Sequence, residues 1–301
     1  MEFPHGSVVL GASTLGGPDR PDPDALAEAM LRSRFPAIDT SNRYASGHSE
    51  EALGRAIARI GLPDGTVVLT KADADTQTGV FDGDRVRRSF EESQARLGLE
   101  RLPLLQIHDP YTITFAEAMS PGGAVEALMR LRDEGAVDAI GIACEPVPLL
   151  LDYIGTGVFD AVLTHSRYTL VDRSARVVLQ AARDRGMLTI NAAPFGGGIL
   201  AGSSSHRDSY AYRPASPDTL RVVAEIERIC ARYDVPMDIA ALAFSTHTDL
   251  VDATAVGVSS LARLQRLHEI AGADVPTALL DELETLPDRA TRGDGSDCAG
   301  R

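Results

Sequence analysis

The chain of 301 residues contains no tryptophan, and aromatic residues make up only 5% of it. A saccharide site built on broad stacked rings is therefore not supported, since tryptophan is the common platform for such stacking. Cysteine is scarce too: Cys144, Cys230 and Cys298 lie far apart, without a CxxC pair or the density of a disulfide-stapled secreted domain. A reducing, cytoplasmic setting is expected. Basic residues are outnumbered, 29 Lys and Arg against 43 Asp and Glu, giving a formal charge of −14. Such a chain repels phosphate backbones and anionic lipid head groups, so nucleic acid and membrane surfaces are poor partners. No apolar run approaches the roughly 20 residues that span a bilayer. The start, Met1-Glu2-Phe3-Pro4-His5-Gly6, lacks the basic residues and apolar core of a secretory signal.

What is present is a hydrophobic content of 44%, in a chain long enough to bury roughly 75% of its unfolded surface. Short apolar runs at residues 7–11, 35–39, 66–71, 103–108, 137–142, 159–164, 187–192 and 251–256 read as strands. Between them lie stretches with helical spacing, at 24–33, 49–60, 84–97, 124–134, 171–185 and 219–233, several beginning at Ser or Asp and stopping at Gly or Pro. In the second of these, Ser49 is expected to cap the helix, Glu50 and Glu51 to complement its positive end, and Glu51 to face Arg55.

Eight strands each followed by a helix predict one α/β domain, a (β/α)8 TIM barrel, over residues 1–287, with 288–301 a polar, mobile tail. A doubly wound dinucleotide-binding sheet is the competing architecture, because Gly196-Gly197-Gly198-Ile199-Leu200-Ala201 matches G-x-G-x-x-A. That motif should open a long helix in the chain's first βαβ unit. Here a run of serines follows it, far into the sequence, so a glycine-rich barrel loop admitting a ligand is the better reading.

In a βα barrel the active site sits where strands end. Asp39, Lys71 and His108 close the second, third and fourth apolar runs, and Tyr44 lies just beyond Asp39. Neighbouring strands are about 4.8 Å apart, so these side chains can converge at one rim. A phenol near pKa 10 handles protons poorly at neutral pH unless a cation stabilises its phenolate. Lys71 is expected to supply that cation, Asp39 to hold Lys71, and His108 to donate a hydrogen bond to a substrate oxygen beside Tyr44. There is no activated Ser or Cys nucleophile and no metal-ligand spacing such as HExxH. Redox at a C–O bond, with hydride supplied by a cofactor, is the simplest chemistry that fits.

The run Asp39-Thr40-Ser41-Asn42-Arg43-Tyr44, followed by Gly47-His48-Ser49-Glu50 and Leu53-Gly54, resembles the signature of the aldo-keto reductase family. Thr70-Lys71, Ile107-His108-Asp109-Pro110, Leu131-Arg132-Asp133-Glu134-Gly135 and Ala139-Ile140-Gly141 continue the resemblance in family order. It implies a barrel that binds a nicotinamide dinucleotide and a catalytic tetrad of Asp39, Tyr44, Lys71 and His108. It also implies that Tyr44 is the base in oxidation and the acid in reduction. His108-Asp109-Pro110, Arg167-Tyr168-Thr169-Leu170 and Gly198-Ile199-Leu200-Ala201 are most similar to the branch of aldose 1-, L-fucose, L-galactose and pyridoxal 4-dehydrogenases. A small aldose, polyol or aldehyde is the substrate this implies.

For the cofactor, the resemblance implies contacts from Gly257, Val258, Ser259 and Ser260, with Arg263 placed to meet a 2′-phosphate, and from Phe195, Gly196, Gly198 and Leu200. NADP is the expected cofactor, with NAD still used. Four positions depart from the family. Leu267 replaces an Asn that contacts adenine, Ala143-Cys144 replaces a Ser-Asn pair at the carboxamide, and Ala192 replaces an aromatic residue beside nicotinamide. Those departures favour the alternative, a non-catalytic barrel that senses the cofactor, whereas the intact tetrad disfavours it. Cys144 itself reads as a small apolar core residue. Three long segments, 72–83, 109–121 and 203–217, are expected to rise over the rim, with Tyr111, Phe115, His165, Arg167, Tyr210 and Tyr212 as candidate substrate-lining residues.

Overall fold

A computed structural model describes residues 3–20, 22–202 and 207–288 of the chain. Eight parallel strands close on themselves: β1 (Ser7–Gly11), β2 (Ala37–Asp39), β3 (Val67–Ala72), β4 (Leu105–His108), β5 (Ile140–Cys144), β6 (Ala161–His165), β7 (Leu188–Ala192) and β10 (Ala253–Gly257). The strands β8 (Ser209–Tyr210) and β9 (Arg213–Pro214) form a small hairpin between β7 and β10. Sequence neighbours pair around the ring, and β10 pairs with both β7 and β1. The seam sets Ser7 opposite Ala253 and Gly11 opposite Gly257. The expected (β/α)8 barrel is thus the fold, and the glycine motif at 196–201 follows the seventh barrel strand rather than opening a doubly wound sheet.

Alternation along each strand separates two apolar cores. Inward residues are mostly small or branched: Val9, Ala37, Leu69, Leu104, Ala143, Leu163, Ile190 and Ala255. Outward residues such as Leu10, Ile38, Val68 and Ile142 pack beneath the helices. These are α1 (Pro23–Leu31), α2 (His48–Ile60), α3 (Gly83–Leu97), α4 (Phe115–Met119), α5 (Ala124–Asp133), α6 (Val147–Gly155), α7 (Arg176–Arg183), α8 (Pro217–Arg232), α9 (Met237–Thr246), α10 (Leu261–Ile270) and α11 (Thr277–Glu284). Asp22, Asp82, Ser216 and Ser260 accept N–H bonds at the starts of α1, α3, α8 and α10, each satisfying an otherwise orphan donor. No helix among the described residues is long and apolar enough to cross a membrane.

Several local expectations are corrected. Gly47, not Ser49, stands at the N-cap of α2. The Ser49 hydroxyl is instead buried, 2.8 Å from Thr40 Oγ1 and donating to the Ala12 carbonyl oxygen at 2.9 Å. Glu51 lies 2.9 Å from His48 Nδ1, while Arg55 reaches across to Asp24 at 2.7 Å. The seventh helix begins only at Arg176, because Thr169 and Asp172 fold the preceding residues into a buried turn. Asp172 in turn accepts from the Ser174 N–H and hydroxyl at 2.9 and 2.6 Å, the local competition with helix that Asp and Thr side chains offer.

Asp288, the first residue of the expected tail, is held against the barrel's helices. Asp288 accepts the Arg173 N–H at 3.1 Å, and the Arg173 guanidinium donates to the carbonyl oxygens of Leu283, Glu284 and Leu286. The rest of the anticipated tail, 289–301 with Cys298, and residues 203–206 of the third long segment lie outside the described residues.

Candidate active site

Asp39 is the last residue of β2, Lys71 is next to last in β3, and His108 ends β4, so strand pairing alone brings the three to one rim. The Lys71 ammonium donates to Asp39 Oδ2 at 2.6 Å and to the Thr40 carbonyl oxygen at 2.7 Å. It also lies 3.3 Å from the Tyr44 hydroxyl and 4.6 Å from the centre of the Tyr44 ring. Tyr44 opens a single turn, Tyr44–Gly47, in which Ala45 and Ser46 adopt φ of 50° and 57°. Left-handed non-glycine residues cost of order 1–3 kcal/mol each, so the surrounding fold holds the tyrosine there against local preference. His108 completes the group, its ring edge-on to Tyr44 with centroids 5.4 Å apart. The four residues read from the strand ends are thereby brought together.

The electrostatics differ from expectation. Burial disfavours the Tyr44 phenolate; Lys71 opposes this but Asp39 adds to it, and the phenol is pushed up to about 12. Lys71 does lower the Tyr44 phenol, as expected, but burial outweighs it and Asp39 adds to the rise. Burial also works against the Lys71 charge, yet Asp39 more than offsets it and holds the amine above its usual range. Near neutrality the site thus presents a charged Lys71 and a protonated Tyr44 hydroxyl.

One residue was missed. Asp73 sits two positions after Lys71, hence on the same face of the chain, and that parity was the available signal. Its side chain is 1% exposed and lies 2.7 Å from His108 Nδ1. The Ser41 hydroxyl also donates to it, as does the Arg43 N–H at 3.1 Å. Burial raises the Asp73 carboxyl, but His108, Ser41 and Arg43 together draw it below the usual range.

Around the opening stand Asp109, His165 and Arg43. Asp109, at φ 43°, has its carboxylate 3.7 Å from both His108 Nε2 and His165 Nε2 and 4.0 Å from the Arg43 guanidinium. Burial opposes its charge, but His108 and His165 hold it well below the usual carboxylate range. Tyr111 accepts the Glu145 N–H at 3.0 Å, at the end of β5. Among the other candidate lining residues, Arg167 is corrected. It is 4% exposed, 3.3 Å from Glu145 and 3.7 Å from Asp172, part of a buried ion cluster rather than a surface offered to substrate. Tyr210 is also buried, donating to the Ser166 carbonyl oxygen, and Phe115 packs on Tyr153. Tyr212 stands 76% exposed.

The residues expected at a dinucleotide occupy two adjacent strand ends, after β7 and β10. Gly257–Ser260 lead into α10, whose N-terminus offers free N–H groups and a positive pole to a phosphate. A side chain at Gly257 would meet nothing within 4 Å, so this wall is open, and Arg263 is exposed in the first turn of α10. On the other wall Gly196, Gly197 and Gly198 have φ of 58°, 79° and 118°, a bare main-chain surface that side chains resist. At Gly196 a Cβ would also overlap the Tyr210 ring. This donor set suits a phosphorylated dinucleotide. Val258 and Leu200 are core residues at 1% and 0% exposure, so they face a ligand only through their main chain. Leu267 is likewise 2% exposed, packed in the core beneath α10. Phe195 is half-buried beside the glycines, while Ala143 and Cys144 are fully packed.

The chain matches the Aldo/keto reductase family across residues 7–284. It is 32% identical to D-threo-aldose 1-dehydrogenase of a Pseudomonas species, over 92% of each chain. It is 29% identical to pyridoxal 4-dehydrogenase of Microbacterium luteolum, over 86% of this chain and 87% of that one. With L-galactose dehydrogenase of Arabidopsis thaliana the identity is 26%, over 93% and 90%. In fold it is similar to the holo form of an aldo-keto reductase from Bacillus halodurans, with a TM-score of 0.78 and 17% identity over 97% of this chain and 98% of that one.

Proposed function

The chain belongs to the aldo/keto reductase family and is an NAD(P)-dependent oxidoreductase of small carbonyl substrates, and we propose that its substrate is a small aldose, polyol or aldehyde. The observation that carries the reading is the Lys71 ammonium, shared between Asp39 and Tyr44 with His108 at the edge of the tyrosine ring. A reacting oxygen placed between Tyr44 and His108 meets a hydroxyl donor backed by a fixed positive charge in a water-poor rim, where such charge acts most strongly. Asp39 keeps Lys71 charged and aimed. Gly257, Val258, Ser259, Ser260 and Arg263 on one wall, and Phe195, Gly196, Gly198 and Leu200 on the other, hold the dinucleotide, which supplies the hydride exchange. Arg263 favours NADP over NAD. His165 and Tyr111 face the substrate. The catalytic body takes in residues up to Asp288, and a cytoplasmic setting suits Cys144 and Cys230, both buried and neither in a disulfide.

Titration of nicotinamide fluorescence, followed by turnover of a panel of aldoses, polyols and aldehydes with both cofactors, tests this reading. Binding together with turnover of at least one such substrate is expected. Ala143, Cys144 and Ala192, which depart from the family at nicotinamide-contacting positions, favour a second reading, a cofactor sensor. Binding with no turnover across the panel would establish that reading instead.

A further inference from the structure

We infer that Arg96, on the outer helix α3, is a positioning residue that clasps the turn carrying Tyr44 and so sets the distance from the Tyr44 hydroxyl to Lys71. The inference rests on the proposed activity for Tyr44 as the reacting hydroxyl, and on geometry alone for the clasp.

The turn needs holding. After Tyr44 come Ala45, Ser46 and Gly47 with φ of 50°, 57° and 91°, three successive left-handed residues of which only the glycine adopts that region without penalty. Within the segment the Tyr44 N–H donates to the Ser41 carbonyl oxygen at 3.2 Å, and the Ser46 N–H to that of Arg43 at 2.9 Å. The rim side is tied by Asp73, which accepts the Arg43 N–H at 3.1 Å. The outer side is tied from α3. The Arg96 guanidinium donates to the carbonyl oxygen of Asn42, before Tyr44, at 2.9 Å. It also lies so close over Gly47, at the far end of the turn, that a Cβ there would be 2.7 Å from the guanidinium carbon. One planar group thus spans both ends of the turn.

Arg96 is itself fixed. Its Nη1 lies 3.1 Å from the wholly buried carboxylate of Glu50, which accepts the Thr70 hydroxyl at 2.6 Å. Asn42 is fastened as well: its N–H donates to the Lys71 carbonyl oxygen at 3.1 Å, and its side-chain amide bonds Arg85 and Glu92 of α3. Two glycines allow the reach. Gly54 lets α2 come against the Arg96 main chain, and Gly47 leaves a seat for the guanidinium. An ammonium cannot replace this group, because it is a compact point charge without a flat face or a fork of donors.

The consequence is felt at Tyr44. Asp39 and Thr40, which precede the turn, hold the Lys71 ammonium at 2.6 and 2.7 Å, so its 3.3 Å contact with the Tyr44 hydroxyl is the one that the turn decides. That contact is at the long end of the hydrogen-bond range, and is the first to be lost when the turn relaxes. A misplacement of about 1 Å is enough to cost on the order of 10²-fold in rate.

Two measurements on Arg96→Lys test the assignment. This variant keeps a positive charge opposite Glu50, whereas Arg96→Met would strand a buried carboxylate and endanger the fold. In the whole protein, 13C-labelled at the hydroxyl-bearing ring carbon of its seven tyrosines, the Tyr44 signal is assigned by its loss in Tyr44→Phe. In Arg96→Lys that signal should move or split while the other tyrosines keep their positions. An unmoved Tyr44 signal overturns the inference whether or not any substrate is turned over. Movement of all the signals would mean that Arg96 is merely structural, and rejects it too. On substrates that the wild type turns over, Arg96→Lys should lower kcat about 10–10²-fold, with the dissociation constant of the cofactor unchanged. An unchanged kcat, or a loss confined to cofactor affinity, rejects the clasp and leaves the proposed activity standing. A wild type that turns over nothing in the panel rejects the activity instead, and the tyrosine signal then decides the clasp alone.

Discussion

At the scale of single residues, the site concentrates opposed charges in almost no solvent, and substitutions there separate chemistry from stability. Tyr44→Phe removes the one hydroxyl donor backed by Lys71 and little surface. It should therefore cost about 10²–10⁴ in turnover with the cofactor dissociation constant unmoved, as steady-state rates and fluorescence titration will show. Lys71→Met strands Asp39, whose side chain is 7% exposed, without its partner. Breaking a buried pair in this way typically costs about 3–5 kcal/mol, so the variant should lose stability as well as activity in denaturant titrations. Asp109 gives a pH signature. A carboxyl drawn below its usual range in the folded state stabilises the fold fully above its unfolded value near 3.9, and this contribution fades as the pH falls through the folded value. The melting-temperature gap between wild type and Asp109→Asn should therefore be widest near neutrality and narrow below about pH 4. Asp39, Lys71 and His108 were legible because each closes an apolar run. Asp73 was not, since it stands beyond the strand in a run that reads as loop, and its importance arises from a histidine 35 positions away.

Among the elements, α2, α3 and α10 carry the most functional weight. The first two approach so closely that a methyl group at Gly54 would overlap the Arg96 carbonyl oxygen. Gly54→Ala should thus force the helices apart and cost about 1–3 kcal/mol, measurable as a lowered melting temperature. The same helices share Glu50 and Arg96, paired at 3.1 Å. For α10, a charge-assisted bond from Arg263 to a 2′-phosphate is worth roughly 1.5–3 kcal/mol. Arg263→Ala should accordingly weaken NADP selectively and leave NAD binding nearly as before. Equal changes in the two dissociation constants would assign the preference elsewhere. Helix identities were readable from apolar spacing, yet the starts of α2 and α7 were not. Serine, threonine and aspartate mark caps and buried turns with the same letters, and only tertiary contacts decide between Ser49 as a cap and Ser49 as a buried hydroxyl, or between Asp172 in a helix and Asp172 in a turn.

For the molecule as a whole, the barrel was legible because its information is periodic and redundant: eight runs, each followed by an amphipathic stretch, admit few other closures. The opening of the site was less so. Whether Arg167 or His165 reaches it depends on which way a buried turn faces, and composition says nothing of that. The ring also imposes an order in time. Asp39, Tyr44, Lys71, Asp73 and His108 all fall at or before residue 108, whereas the proposed cofactor walls begin at Phe195 and end at Arg263. They become one site only when β10 enters between β7 and β1, a pairing sealed by the Val258 N–H donating to the Gly11 carbonyl oxygen at 2.9 Å. On a ribosome, where chains emerge at about 5–20 residues per second, the nascent protein carries its proton-handling apparatus long before the final stave arrives, and for that interval both open edges of the sheet are exposed to other chains. Closure of the ring and completion of the proposed site are therefore one event, and any change that loosens β10 from either neighbour opens both at once.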